Sequence, residues 1–370
     1  MNRKFLNSAL LLGTVLLTGC LKSESNDNNN QEYVVTKGAY IVDAGNPDNG
    51  KDGKLYYIDY STNTATPNAT PIGLNPSDVM VYGNKVYVVG SGSNAIYVFN
   101  KNTQSLIDKI LTVDEMGEEA GVEPRYASAY GSNVYVSTHG GYVAVVDTAS
   151  LTVTNKFKVG SYPEGLGVGV VESNSTKEAS LYVACSDNGN GNGSLYRINL
   201  GSGSVSEIVT DKVKNPQRVV VSGSTAFVLD YGYIDSEGNQ KDAGVYMVAY
   251  NSTSSSYVAQ RLIENATGMT AGGSSIVTYN YPKGSSNVTY KVCNLYYNTL
   301  NTFSLSGDSS YPITNPSAIC IDPNAGYLLI ANPGYVNMYD GNGNFAKSFN
   351  TGDNPTAISY SYGTAIYNAK

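Results

Sequence analysis

The sequence predicts an all-β fold, a seven-bladed β-propeller whose first blade is closed by a strand from the carboxyl end. Three observations predict it. A four-strand unit recurs along the chain, and a proline opens each clear copy. The first copy lacks its opening strand, and a spare strand of that kind stands at the far end.

One unit runs from Asn75 to Ile110, NPSDVMVYGNKVYVVGSGSNAIYVFNKNTQSLIDKI, and the next from Glu123 to Val159 aligns with it element for element. Alternation such as Val-Tyr-Val marks strands of half-buried character. The turns at Gly83-Asn84 and Gly131-Ser132-Asn133 mark hairpins. The opening prolines are Pro76, Pro124, Pro163, Pro216, Pro316 and Pro355, spaced by 48, 39, 53, 100 and 39 residues. Four strands at such a period describe a propeller blade. The interval of 100 residues hides a degenerate unit, expected around Met269 to Leu305. Gly38 to Thr70 has strands but no first strand, and Pro355 to Tyr362 supplies it. That closure covers an edge that would otherwise invite pairing.

Composition agrees with this reading. The 370 residues include 39 Gly and 32 Tyr, while only 14% are charged, which favours strands and turns over helices. The formal net charge of −7 argues against nucleic-acid binding. A single histidine, His139, leaves too few imidazoles for a histidine-cluster zinc site, and four cysteines are too few for an all-Cys site beside a lipidated one. No cofactor and no metal site is expected. Asn188 to Gly193 is similar to a calcium loop but lacks its acidic ligands and closing Glu. Cys185, Cys293 and Cys320 are an odd number in apolar runs and read as small buried residues.

Residues 1–19 read as a lipoprotein signal peptide. Arg3 and Lys4 precede a short apolar run, and Leu17-Thr18-Gly19-Cys20 follows it. Cys20 is the expected lipid attachment, and 20–37 the expected flexible tether, with the propeller over 38–370. The membrane is then reached through the lipid alone.

The loops between second and third strands carry most insertions, among them Cys185 to Gly193 and Asp230 to Gly244. They should share a face with the residues just after each proline, and long loops mark the working face. The candidate ligand-binding residues there are Arg125, Tyr126, Asp187, Arg218, Asp230, Tyr231, Tyr233 and Tyr335. Flat amphipathic rings, amides and guanidinium forks on a glycine-rich frame suit a binding face. His139 is expected in a solvated loop of that face. No catalytic residue is assigned. Carboxylates such as Asp78, Glu164 and Asp230 could cluster at the channel mouth, but no spacing rule pairs any two of them for a hydrolase.

The repeats, with KVYVVGSGSNAIYVFN, PGYVNMYDGNGNFAKSFNTGDNPTAI and the opening GAYIVDAGNPDNGKDGKLYYIDY, resemble the YncE-like surface propellers of Bacteroidetes over roughly Gly38 to Ile366. The resemblance implies a surface-exposed outer-membrane lipoprotein that binds a small-molecule nutrient and passes it to a TonB-dependent transporter. One branch, BtuG, captures cobalamin, which makes a corrinoid the leading ligand, with a glycan or peptide as alternatives. A propeller hydrolase or lyase, or a protein-binding scaffold, are further readings of the same fold.

Overall fold

A computed structural model describes residues 30–173, 176–282 and 287–368. The expected signal peptide, Cys20 and the start of the tether lie outside the described residues. The described residues form seven four-stranded antiparallel sheets. Their innermost strands are Pro355–Asn368, Pro76–Tyr82, Pro124–Tyr130, Pro163–Ser173, Pro216–Ser222, Gly268–Gly272 and Ala318–Asp322. We number the blades one to seven in that order. Each innermost strand lies against that of the next blade, and the seventh lies against the first, so the ring is closed around a central channel.

The first blade is the split one. Asn30–Asp43 lies between Lys54–Asp59 and Pro355–Asn368, and Thr64–Pro67 forms its outer edge. The sixth blade is the degenerate unit, beginning at Gly268. Its opening reads Asn265-Ala266-Thr267-Gly268-Met269, against Asn75-Pro76-Ser77-Asp78-Val79 in the second blade. Asn265 keeps the left-handed backbone of Asn75, Glu123 and Tyr162, with φ near 50° in all four. The turn therefore persists where the proline has been lost.

Packing is made between blades, not within them. Seven apolar clusters occur among the described residues, each joining neighbouring blades. One position of the second strand dominates them: Tyr40, Tyr87, Tyr135, Tyr182 and Phe227, all buried. A ring of this kind withdraws some 150–250 Å² from water, on the order of 4–6 kcal/mol before entropy is counted. The hydroxyls of Tyr40 and Tyr182 cross to the next blade, donating to the carbonyls of Lys101 at 2.6 Å and Ser224 at 3.1 Å. The three cysteines are buried and unpaired, as the sequence suggested.

One expectation is corrected. The segment 20–37 was read as tether, but the first strand begins at Asn30. Its partner Lys54–Asp59 reaches only Gly38, whereas Pro355–Asn368 follows it to Asn30↔Asn368. Residues 30–36 and 362–368 thus form a two-stranded ribbon beyond the blade, at the end away from the channel mouth. The mostly polar composition of this stretch concealed it: Tyr33 and Val34 are exposed, so no buried face announces a strand.

Candidate functional site

Each blade enters the ring through the same device. In the second to fifth blades the opening proline pairs with the last residue of the second strand, and the register then slips. The first blade repeats this at Pro355. A bulge leaves one or two residues out of the ladder and re-aims their side chains. Those residues are the ones that follow the proline: Ser77, Arg125 with Tyr126, Glu164 with Gly165, Gln217, and Thr356. Of these, Ser77, Arg125, Tyr126 and Thr356 line a cavity of about 230 Å³ that opens at the channel mouth. Arg125, Tyr126, Arg218 and Tyr231 line it together, as do Tyr279 and Met269.

Several of these side chains are engaged by the neighbouring blade. Thr356 Oγ1 donates to the Pro76 carbonyl at 3.2 Å, and Ser77 Oγ to the Arg125 carbonyl at 2.6 Å. Ser317 Oγ donates to the Pro355 carbonyl. Arg125 Nε donates to Glu164 Oε2 at 3.0 Å. The seventh, first, second, third and fourth blades are thereby linked in turn around the mouth. Between the fourth and fifth blades Gly165 replaces a link with close approach: a Cβ there would lie 2.6 Å from the Arg218 Cα.

Arg218 departs from this pattern. Among the described residues its guanidinium takes no hydrogen bond and no ion pair. It lies over the Tyr126 ring, 4.6 Å from the centroid, with Arg125 at 5.8 Å from the same ring. Burial works against the Arg218 charge, but Tyr126, Asp78, Tyr231 and Tyr279 together outweigh it and push its pKa upward. Asp78 itself is pushed up to about 6 by burial, while Arg218 and the N–H groups of Ala127 and Val79 pull the other way. Its Oδ2 accepts from the Ala127 N–H at 3.0 Å. Burial also pushes Tyr231 up to about 12 and raises Tyr279.

The groups best suited to acid–base chemistry are already occupied. Glu164 accepts from Arg125 through one oxygen and meets His139 Nε2 at 3.0 Å through the other. His139 Nδ1 lies 2.7 Å from Glu123, and its ring packs against Tyr162 with centroids 5.0 Å apart. The expected solvated histidine is instead held between two carboxylates, with 15% of its side chain exposed.

Four of the eight candidate residues meet at the cavity: Arg125, Tyr126, Arg218 and Tyr231. The other four do not line it. Asp230 is buried and accepts the backbone N–H groups of Lys214, Asn215 and Gly232. Asp43 and Asn332 hold the same strand-end position and the same task, accepting from Asn354 and from Thr314 and Asn315. Asp230 is thus a loop anchor. Asp187 sits in the short turn Asp187–Gly189 and accepts from Asn192. Tyr233 belongs to a small exposed hairpin with Gln240–Lys241. The Tyr335 hydroxyl donates to the Pro312 carbonyl, and its ring packs edge-on to Tyr311. Tyr279 was missed. It is the last residue but one of the degenerate blade's second strand, Ser275–Asn280, where no proline marked the register. Asn265 followed by a small residue and Met269 was the available signal.

Fold and site together define a seven-bladed propeller with a polar, tyrosine-rich cavity at the mouth of its channel. No protein-family model matches the chain, and no curated protein matches it in sequence. Solved structures do. A candidate 6-phosphogluconolactonase from Bacteroides uniformis superposes with a TM-score of 0.60 at 16% identity, over 88% of this chain and all of the other. A Bacteroides fragilis protein described in the same way gives 0.56 at 16%, over 88% and 98%. Hydrazine synthase of Kuenenia stuttgartiensis gives 0.59 at 15%, over 80% and 95%. At such identities the likeness concerns the fold.

Proposed function

We propose that this protein is a ligand-capturing propeller, carried by a lipid on Cys20 at the outer membrane, that binds a nutrient at its channel mouth and passes it to a TonB-dependent transporter. The observation that carries the reading is the convergence of Arg125, Tyr126, Arg218 and Tyr231, from different blades, on one cavity. Binding without turnover is supported by Glu164 and His139, whose polar atoms are occupied by each other, Arg125 and Glu123. The ribbon leaves the ring opposite the cavity, so a tether reaching a membrane from Asn30 holds the mouth outward.

A cavity of about 230 Å³ is below the usual 300–1,000 Å³ of a small-molecule site. It takes a small monomer or one arm of a larger ligand. A corrinoid lies across the face and inserts a single arm; a glycan or peptide inserts a terminal unit. The test is calorimetric titration of the soluble chain that starts after Cys20 with cyanocobalamin, oligosaccharides and peptides. The expected result is saturable one-to-one binding that Tyr126→Ala weakens about tenfold or more, as loss of a stacking ring does. Absence of binding to every panel overturns the reading.

A further inference from the structure

We infer that Arg218 and the tyrosines around it form an anion pocket that takes the carboxylate of a small ligand, or the carboxylate end of a larger one; this rests on the capture reading above. Arg218 presents a charged fork that no residue of the described chain pairs. A half-buried guanidinium at the wall of the cavity, giving no hydrogen bond to the described residues, is free to give charge-assisted hydrogen bonds to an oxoanion of matching geometry. Tyr126 covers one face of the guanidinium, so an anion meets its edge.

The surroundings supply further donors. The hydroxyls of Tyr126 and Tyr279 take no hydrogen bond among the described residues, and both residues line the cavity. Tyr231 is different: its hydroxyl donates to the Thr267 carbonyl at 3.0 Å and has no proton left to give. One guanidinium edge and two phenol protons can surround a two-oxygen anion.

Charge selects a carboxylate over a phosphate. Arg125 is matched by Glu164. Asp78 lies close enough to Arg218 to act on its charge but is more than an ion-pair distance away. Arg218 is therefore the pocket's one cation without an ion-pair partner among the described residues, its charge tempered by Asp78 from a distance. A monoanion balances it, whereas a dianion leaves a surplus negative charge inside the mouth. The carboxylate could belong to a sugar acid or to a peptide terminus, since the pocket recognises what the two share.

The test uses isosteric pairs at fixed ionic strength: glucuronate against glucuronamide, and N-acetylalanine against N-acetylalaninamide. The chain has no tryptophan, so tyrosine absorbance reports directly, alongside the melting temperature. At least one acid should give a saturable response that its amide does not. A response to glucuronate identifies a sugar acid, and one to N-acetylalanine a peptide terminus. Arg218→Met should weaken acid binding about tenfold or more. Arg218→Lys should retain part of it, and Tyr279→Phe should weaken it; these two decide the matter if Arg218→Met does not fold. The proposal is overturned if amides match acids, if neither acid responds, if inorganic phosphate binds more tightly than both acids, or if acid binding survives Arg218→Met. A neutral ligand whose binding depends on Tyr126 and not on Arg218 removes the anion pocket and leaves capture standing. Failure of every ligand removes both.

Discussion

Asp78 and Arg218 share the channel mouth, and Asp78 gives the site a pH dependence with a definite sign. Its carboxyl is pushed up to about 6 in the folded chain, from an ordinary value of 3.8. Between those values the folded state binds the proton that the unfolded state releases, so this group's contribution to stability falls as pH rises through the window. Above pH 6 the ionised form is a standing cost of the fold. Asp78→Asn should therefore raise the melting temperature at pH 7 and flatten its pH dependence between about 4 and 6, relative to the unmutated chain. Asp43, Asp230 and Asp322 are also raised by burial, which is why the difference between the two proteins, not the profile of either, is the measurement. A melting temperature unchanged at pH 7 would count against this account. Asp230 and Arg218 also mark the limit of what could be read at this scale. Both are polar residues at the mouth-side ends of strands, and composition ranks them alike. Only the folded chain reveals that the bonds of Asp230 are spent on three backbone amides while those of Arg218 are not.

The innermost strands show why the blades were legible and one opening was not. Proline fixes φ and needs no hydrogen-bond partner, so it stands wherever the ladder is about to slip. Six openings carry the proline, and in five of them the ladder slips just after it. In the sixth blade Ala266 occupies the position, and the spacing of 100 residues betrayed a missing unit without its register. Because the register was missing, Tyr279 was missed with it. The same comparison yields a prediction. Ala266 donates no backbone hydrogen bond among the described residues, and Asn265 already has the backbone that precedes proline in the second blade. Ala266→Pro should stabilise the protein by roughly 0.4–1 kcal/mol by restricting the unfolded chain. Chemical denaturation reads the shift in midpoint; destabilisation would mean that the opening of this blade differs from the others beyond its proline. The ribbon was illegible for another reason. None of its described side chains belongs to an apolar cluster, and hydrophobic alternation is a signal only where one face is buried.

In the molecule as a whole, stability rests on completing a circle. Each apolar cluster is shared by two blades, so removing one strand opens two interfaces. Pro355–Asn368 carries this burden for the first blade: it pairs with Asn30–Asp43 and lies against both Pro76–Tyr82 and Ala318–Asp322. Deleting 355–370 should abolish cooperative thermal unfolding and leave a species that binds a hydrophobic dye. A truncated chain with an unchanged melting curve would show that the circle closes without it. The circle was the part most open to sequence reasoning, because a repeat and its missing piece are both counted without knowing any contact.

The ribbon also decides how the ring bears load. Its two strands are antiparallel, and both leave the ring on the side away from the cavity. Pulling the two ends apart would open their hydrogen bonds one after another, like a zipper. Holding the amino end alone while something tugs at the mouth is a different geometry. The force then runs along the strand, across a ladder that continues from Asn30 to Asp43, and its bonds resist together. A chain held from that side therefore meets a pull at the mouth with its closure loaded in shear.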